Sequence, residues 1–132
     1  MPATLIVASR QVGKTTACEK LNAAGVKTVE IDYGEGFVEK LDAAMSDHSV
    51  SVVIVGTDKD TIEHLRKTRY PAVVVYRGQR LLDILNQESP GSAPNDIPLL
   101  ADYIRRNDIV SIELASRKET LFDALEGLGF VN

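Results

Sequence analysis

The chain has 132 residues and a formal net charge of −4, with charged side chains of both signs spread along it. This length fits a single domain that buries a core without disulfides, so residues 1–132 are predicted to form one domain. The mild negative charge argues against a general affinity for nucleic acid or anionic membranes. The one cysteine, Cys18, excludes an internal disulfide and a multi-cysteine metal site, and it favours a reducing, cytoplasmic location. The first apolar run is too short to span a membrane and lacks the charged start of a signal peptide.

The first third of the chain alternates apolar runs with amphipathic stretches. Thr4–Ala8 is continuous and β-branched, which predicts a strand buried on both faces of a parallel sheet. After a short polar loop, the apolar spacing predicts a helix from Lys14 to Ala24, with Gly25 as its stop. A second strand is predicted over residues 27–32. The next helix is predicted from a buried stripe that consists of Phe37, Val38, Leu41, Ala44 and Met45.

The same alternation continues through the middle of the chain. Residues 50–55 predict a third strand, apolar on both faces, and residues 72–76 predict a fourth. Between these strands, Thr57 or Asp58 can cap another helix.

The regular alternation loosens after Tyr76, over residues 77–107. Helical segments are expected at 77–86 and from 95 to 104, separated by a turn-rich stretch at 88–94. A fifth strand with the partial alternation of an edge strand is expected at 109–114.

The end of the chain carries a helix-start signal. Ser116 and Glu119 fit a capping box, which predicts that the last helix opens there and ends near Gly127. Together, these elements predict a three-layer α/β/α domain with a mainly parallel five-stranded sheet. Because such sheets bind ligands at the carboxyl ends of their strands, the loops that follow the strands are expected to share one functional edge.

One of these loops carries a recognisable motif. Residues 8–15 read ASRQVGKT, which fits the Walker A pattern G-x-x-x-x-G-K-[ST] with Ala8 replacing the first glycine. A tight loop between a strand and a helix directs backbone N–H groups inward, and the helix N-terminus adds partial positive charge. Gly13 allows a phosphate to approach the backbone, Lys14 is expected to reach the β- and γ-phosphates, and Thr15 is expected to bind Mg²⁺. The residues predicted to hold a nucleoside triphosphate are Ser9, Arg10, Gln11, Val12, Gly13, Lys14, Thr15 and Thr16.

The sequence around the motif resembles a known group of proteins. The stretch GKTTACEKLNAAGVKTVEID, residues 13–32, looks like the start of P-loop kinases of the nucleoside and nucleotide monophosphate kinase type. It is most similar to small kinase-like proteins encoded by bacteriophages, in which stretches like GTDKDTIEHL and YPAVVVY follow in the same order, here at residues 56–65 and 70–76. The resemblance covers about the first two thirds of the chain, and only the GKT element is specific.

This resemblance implies a P-loop fold, ATP with Mg²⁺, and phosphoryl transfer to a small acceptor in the cytoplasm, which is the host cytoplasm for a phage-encoded protein. Glu30 and Asp32 match the acidic pair that ends the second strand in such kinases. Asp32 is then expected to hold a magnesium-bound water or to orient the acceptor hydroxyl, beside Thr15 as the other metal residue. Lys14 is expected to act in catalysis as well as in binding.

The resemblance also implies that residues 77–107 form a lid-like insertion, and it assigns a role to arginines there. A mobile lid in these kinases brings arginines to the transferring phosphoryl group, where they stabilise its charge. Arg77 and Arg80 follow the fourth predicted strand, where such residues would lie, and Arg105 and Arg106 are further candidates. Residues 81–104 contain no arginine or lysine, which departs from the dense basic spacing of a working lid.

Three functions therefore stay open at the level of sequence. The first is a small kinase-like phosphotransferase, and the second is a non-catalytic P-loop domain that acts through a protein partner. The third is an α/β interaction domain in which the GKT element is coincidental. A zinc site is not expected, because the two histidines, His48 and His64, have no second ligand at the required spacing. Cys18 is expected to be buried, and His64 is expected to be solvated.

Overall fold

The computed structural model describes residues 3–8, 12–57, 59–68, 70, 72–77, 110–114 and 119–129. Strands and helices alternate within these ranges. The strands are β1 (Thr4–Ala8), β2 (Thr28–Ile31), β3 (Val52–Val55), β4 (Ala72–Arg77) and β5 (Val110–Leu114). The helices are α1 (Lys14–Ala23), α2 (Phe37–Ser46), α3 (Lys59–Thr68) and α4 (Leu121–Gly127). None of the helices in this part of the chain is both long enough and apolar enough to cross a membrane.

The strands form one parallel sheet in the order β2-β3-β1-β4-β5. β1 lies at its centre, where Val7 pairs with Val55 of β3 on one side and with Val74 of β4 on the other. β1 and β3 are buried along both faces apart from the half-buried Thr4, as their continuous apolar runs predict. The predicted α/β class with a five-stranded parallel sheet is confirmed, and β5 is an edge strand as expected.

The helices cover both faces of the sheet. The step from β1 to β2 runs in one direction along the sheet, whereas the steps from β2 to β3 and from β3 to β4 run in the other. Because such crossovers are right-handed, reversing the direction places the connecting helix on the opposite face. The core on the α1 and α4 face includes Ile6, Ala8, Ala17, Leu21, Ile54, Leu121 and Leu125. The core on the α2 and α3 face includes Leu5, Val7, Phe37, Leu41, Val53, Ile62 and Leu65.

Several details of the predicted elements are wrong. Val38 is 41% exposed, because the buried stripe of α2 follows the four-residue spacing of Phe37, Leu41 and Met45. The last helix begins at Leu121 rather than at the Ser116–Glu119 box, and its own capping box is formed by Thr120 with Asp123. β2 and β3 are also shorter than predicted.

Several predictions fall on the rest of the chain. The helical segments and the turn-rich stretch expected between residues 78 and 109 lie outside the described residues, as does most of the predicted insertion. Arg77 closes β4 and pairs with Leu114 of β5, so that strand runs one residue beyond its predicted end. α3 begins at Lys59, and Asp58, one of the two residues predicted to cap it, lies outside the described part.

Candidate functional site

In a parallel sheet, a ligand-binding crevice is expected at the carboxyl ends of two neighbouring strands whose connections diverge, and β1 and β3 are such neighbours. The chain leaves β1 towards α1 on one face, whereas it leaves β3 towards α3 on the other. Two adjacent parallel strands whose connections diverge in this way form a topological switch point, where α/β sheets bind ligands. Gly13 and the start of α1 lie on the β1 side of this switch point, and the buried Thr57 follows β3 on the other.

The first residues of α1 present donors for an anion. Gly13 precedes the helix in the left-handed region, with φ 84° and ψ 44°, which glycine adopts without strain. The first hydrogen bond of the helix runs from the Ala17 N–H to the Gly13 carbonyl at 2.9 Å. The amides of residues 14–16 therefore have no acceptor within the helix, and the helix dipole places partial positive charge there. The first turn contains no acidic residue that would compete for these donors, and Lys14 is half-buried beside them.

One side of α1 is bonded to the outer edge of β2. Asn22 accepts a hydrogen bond from the Thr28 N–H at 2.8 Å, and its Nδ2 donates to the Thr28 carbonyl at 3.0 Å. The Cys18 thiol lies 3.5 Å from the same carbonyl. Thr15, Cys18 and Asn22 lie three and four residues apart, so they share one side of the helix. This row of side chains forms a ladder along α1. Its bonds satisfy the backbone N–H and carbonyl of Thr28 at the free edge of the sheet, and they hold α1 against β2.

The ladder brings a carboxylate to the first turn of α1. The Thr15 hydroxyl donates to the Glu30 carboxylate, with Oγ1 at 3.0 Å from Oε1 and 3.3 Å from Oε2. Glu30 reaches Thr15 because it shares a face of β2 with Thr28, two residues earlier. Asp32, the residue expected to accompany Thr15, is exposed just past the end of β2. The described contact with Thr15 is made by Glu30.

The Thr15 and Glu30 oxygens, which are hydrogen-bonded to each other, are the atoms at the start of α1 that could contribute ligands to a metal ion. Mg²⁺ prefers oxygen ligands in octahedral geometry, in which adjacent ligands lie about 2.9 Å apart. The Thr15 hydroxyl and the nearer Glu30 oxygen are 3.0 Å apart, and both side chains are accessible to solvent that could complete the shell. Within the described ranges there is no group of three or more metal-ligating side chains. Thr15 and Glu30 alone therefore do not form a closed protein cage for a metal ion.

The N-terminus of α4 contacts the loop before α1. The Leu121 N–H donates to the Val12 carbonyl at 2.8 Å. Thr120 caps α4 through a reciprocal pair of bonds with Asp123, and a Cβ placed on Gly13 would meet the Thr120 Cβ at an ordinary 4.0 Å. Local sequence did not reveal this contact, because it joins segments that are more than a hundred positions apart.

The remaining predicted site residues are not assembled within the described structure. Ser9, Arg10 and Gln11 lie outside it, as do Arg80, Arg105, Arg106 and Asp58. Arg77 is placed by its backbone at the carboxyl end of β4, on the same edge of the sheet as the β1 terminus. Thr16 is exposed on the first turn of α1.

Cys18 is not an activated thiol. It is half-buried, and burial together with the nearby Glu30 carboxylate raises the pKa of its thiol. A raised pKa keeps the sulfur protonated at neutral pH and lowers its reactivity. The expectation that Cys18 is buried is therefore met only in part.

A second polar cluster joins α2, α3 and the start of β4, away from the crevice. The Tyr70 hydroxyl donates to Asp42 Oδ1 at 2.5 Å, and the same oxygen lies 3.5 Å from His64 Nε2. His64 also packs edge-on against the Phe37 ring, with centroids 6.4 Å apart. The expectation that His64 is solvated is therefore wrong, since its side chain is only 18% exposed.

Comparison with known proteins shows the fold but not the function. No family model matches the chain, and no curated protein matches it. Among solved structures, the chain is similar to a de novo designed protein whose solution NMR structure was determined by the Northeast Structural Genomics Consortium. The two share 17% identity over 100% of this chain and 96% of that chain, with a TM-score of 0.55. At this identity the likeness establishes an α/β architecture and carries no information on function.

Proposed function

We propose that this protein binds a nucleoside triphosphate through a P-loop formed by residues 8–15. The observation that carries the proposal is the conformation of Gly13, with φ 84°, immediately before α1 at the switch point of the sheet. In this position the chain turns from a buried central strand into a helix whose first amides have no internal acceptor. A phosphate is the ligand that such a strand, glycine turn and helix N-terminus accommodate.

Each side chain at the start of α1 has a distinct role in this proposal. The amides of residues 13–16 bind phosphate oxygens, and Lys14 places its ammonium group beside the terminal phosphates. The Thr15 hydroxyl and the Glu30 carboxylate hold Mg²⁺, which neutralises phosphate charge when it is bound. Glu30 takes the place beside Thr15 that the resemblance gave to Asp32.

Phosphoryl transfer to a small acceptor is the finer form of the proposal. Asp32 follows Glu30 at the carboxyl edge of the sheet, where it can orient an acceptor hydroxyl beside the bound triphosphate. Arg77 lies at the same edge, and it and Arg80 are the candidates for stabilising the transferring group. The acceptor would be a nucleoside, a nucleotide or a similar metabolite, in line with the sequence resemblance.

One feature of the sequence favours a second candidate. Residues 81–104 contain no arginine or lysine, so they supply no cation to a transferring phosphoryl group. A P-loop domain without such cations can bind the nucleotide and transmit its presence to a protein partner. Both candidates share the phosphate site and differ only in turnover.

Calorimetric titration with ATP and GTP, with and without Mg²⁺, tests the shared claim. Lys14→Ala removes the proposed phosphate cation, and Lys67→Ala is the matched control, since it removes the same charge from the exposed last turn of α3. Micromolar, magnesium-dependent binding that is lost in Lys14→Ala and retained in Lys67→Ala supports the proposal. Absence of heat with either nucleotide, or equal loss in both variants, contradicts it. Absence of binding favours the third function, an interaction domain in which the GKT element is coincidental.

Turnover separates the two candidates. A wild-type protein that binds ATP and transfers phosphate to a nucleoside or nucleotide is a phosphotransferase. In that case Asp32→Asn is expected to abolish transfer and to leave most ATP binding intact. Binding without transfer to any acceptor in the class identifies the non-catalytic form.

A further inference from the structure

The contact between α4 and the loop before α1 orients a peptide group of the phosphate site. The Val12 carbonyl accepts the Leu121 N–H at 2.8 Å, so it points towards α4. The described chain contains no cis peptide bond, and in a trans peptide the carbonyl and the N–H point in opposite directions. The Gly13 N–H, which belongs to the same peptide group, therefore points away from α4. This direction leaves it available to act with the amides of residues 14–16.

The donor in this contact depends on the cap of α4. The helix has only seven residues, from Leu121 to Gly127, so its first turn makes up much of its length. Its first N–H groups depend on capping rather than on intrahelical bonds. The Thr120 N–H donates to Asp123 Oδ2 at 2.9 Å, and the Asp123 N–H donates back to Thr120 Oγ1 at 3.4 Å. The bonds from Thr120 lower the pKa of Asp123, which keeps the carboxylate ionised and the box closed at neutral pH.

Packing reinforces this arrangement. Val12, Leu121 and Leu125 are fully or almost fully buried in the same core cluster, so both α4 and the loop before α1 are anchored in that core. The Thr120 hydroxyl is occupied, since it also lies 3.0 Å from Asp123 Oδ2. Thr120 therefore acts through the helix start rather than by contacting a ligand itself.

We propose that Thr120 and Asp123 are positioning residues for phosphate binding. Their capping box holds the Leu121 N–H in place, and that N–H fixes the Val12–Gly13 peptide with the Gly13 N–H directed towards the phosphate. This inference rests on the proposed function, because it concerns the same phosphate site. It extends that function by making the affinity for phosphate depend on the first turn of a helix distant in sequence.

The test compares variants of the cap by titration with inorganic pyrophosphate in the presence of Mg²⁺. Thr120→Val preserves the shape of the side chain and removes the hydroxyl, whereas Thr120→Ser retains the cap. Ala124→Gly is the matched control, because it weakens α4 through backbone entropy and leaves the box intact. The dissociation constant is expected to rise about fivefold to tenfold in Thr120→Val, as a misaligned donor to a charged ligand weakens binding. It is expected to stay within about twofold of wild type in Thr120→Ser and Ala124→Gly.

A second pair of variants keeps the test decisive if Thr120→Val does not fold. Asp123→Ala opens the box, whereas Asp123→Glu retains it, because glutamate also closes a capping box from this position. The same order of affinities is expected, with Asp123→Ala weaker and Asp123→Glu close to wild type. In each folded variant, the ¹⁵N–¹H resonance of Gly13 is expected to move only when the box is opened.

The outcomes separate the two proposals. Wild-type binding of pyrophosphate with equal affinity in the box-opening variants overturns the positioning role and leaves the phosphate site standing. Equal weakening in Ala124→Gly and Thr120→Val also overturns it, because helix stability alone then accounts for the effect. Failure of the wild-type protein to bind pyrophosphate overturns both proposals.

Discussion

Replacing Glu30 with glutamine has effects of opposite sign with and without Mg²⁺ if the carboxylate is a magnesium ligand. The substitution removes the negative charge and keeps an oxygen within reach of the Thr15 hydroxyl, 3.0 Å away in the wild-type protein. With Mg²⁺ present, affinity for ATP is expected to fall, because the ion loses a charged ligand. Without Mg²⁺, affinity is expected to rise, because a negative charge beside the triphosphate has been removed. A substitution that only destabilises the start of α1 would change the affinity for ATP in the same direction with and without Mg²⁺.

The fall in affinity with Mg²⁺ and the rise without it have different physical causes and sizes. Interactions with a charged group contribute about 1.5–3 kcal/mol, so the magnesium-dependent affinity should fall by about tenfold to a hundredfold. Two unit charges about 8 Å apart in water repel by about 0.5 kcal/mol. Because a triphosphate carries several charges, the magnesium-free affinity of Glu30→Gln should rise by about fivefold.

Calorimetric titration of ATP, with Mg²⁺ or with a chelator, measures both changes. Asp32→Asn is the control, since it removes the same charge two residues further on, where the structure shows no contact with Thr15. That variant is expected to stay within about threefold of wild type under both conditions. Equal changes in the same direction for Glu30→Gln with and without Mg²⁺ would refute the reasoning. In that case Glu30 only stabilises the N-terminus of α1, where a carboxylate contributes about 0.3–1 kcal/mol.

Three further predictions concern stability. Asn22→Ala leaves the edge backbone groups of Thr28 without their partner, so the free energy of unfolding in urea is expected to fall by about 1–3 kcal/mol. Asn22→Asp retains the acceptor for the Thr28 N–H, so its free energy of unfolding should fall by less. A fall below about 0.5 kcal/mol in Asn22→Ala would contradict the ladder. Burial and the hydrogen bond to Asp42 raise the pKa of Tyr70 to about 12. Since the folded state holds this proton more tightly, the associated stability is present below the ordinary tyrosine pKa of about 10 and is lost as the pH rises towards 12. Urea unfolding at pH 9 and pH 11.5 should therefore show a greater loss for wild type than for Tyr70→Phe, and equal losses would exclude the effect. Thr61 is fully buried, and its hydroxyl has no partner within the described structure. Thr61→Val is expected to stabilise the protein by about 1 kcal/mol in thermal unfolding, and a loss of similar size would show that the hydroxyl is bonded.

The sheet could be predicted from the sequence because its central strands carry the signal directly. The runs at β1 and β3 are apolar without interruption, and only a strand buried on both faces accommodates such a run. β2 was predicted to be longer, because its flanking Lys27 and Asp32 fit the alternation although they lie beyond the paired residues. The order of the strands within the sheet was not predicted, because it depends on contacts between segments that are distant in the sequence.

The errors in the helices have local causes. Two consecutive signals, Ser116 with Glu119 and Thr120 with Asp123, both resemble a capping box. Propensity cannot choose between them, whereas the bond from the Leu121 N–H to the Val12 carbonyl fixes the helix start in the folded protein. Val38 was placed in the core because it is apolar, although the four-residue spacing of α2 leaves it outside the buried line.

The sequence predicted part of the geometry of the candidate site. Gly13, Lys14 and Thr15 lie at the switch point where the motif places them, because a strand, a short loop and a helix are specified locally. The proximity of Glu30 to Thr15 was missed. Strand alternation predicts that Glu30 lies on the same face of β2 as Thr28. It does not predict that α1 covers this face, which brings Thr15 within reach of Glu30.

The location of a bound phosphate tests the central claim most directly. Titration of ¹⁵N-labelled protein with ATP and Mg²⁺, followed by amide correlation spectra, reports which backbone N–H groups respond. The largest shifts are expected at the amides of Gly13, Lys14 and Thr15, with a smaller response at Leu121 through its bond to Val12. Saturating shifts confined to other parts of the chain, or no shift at millimolar ATP, would contradict a phosphate site at the start of α1.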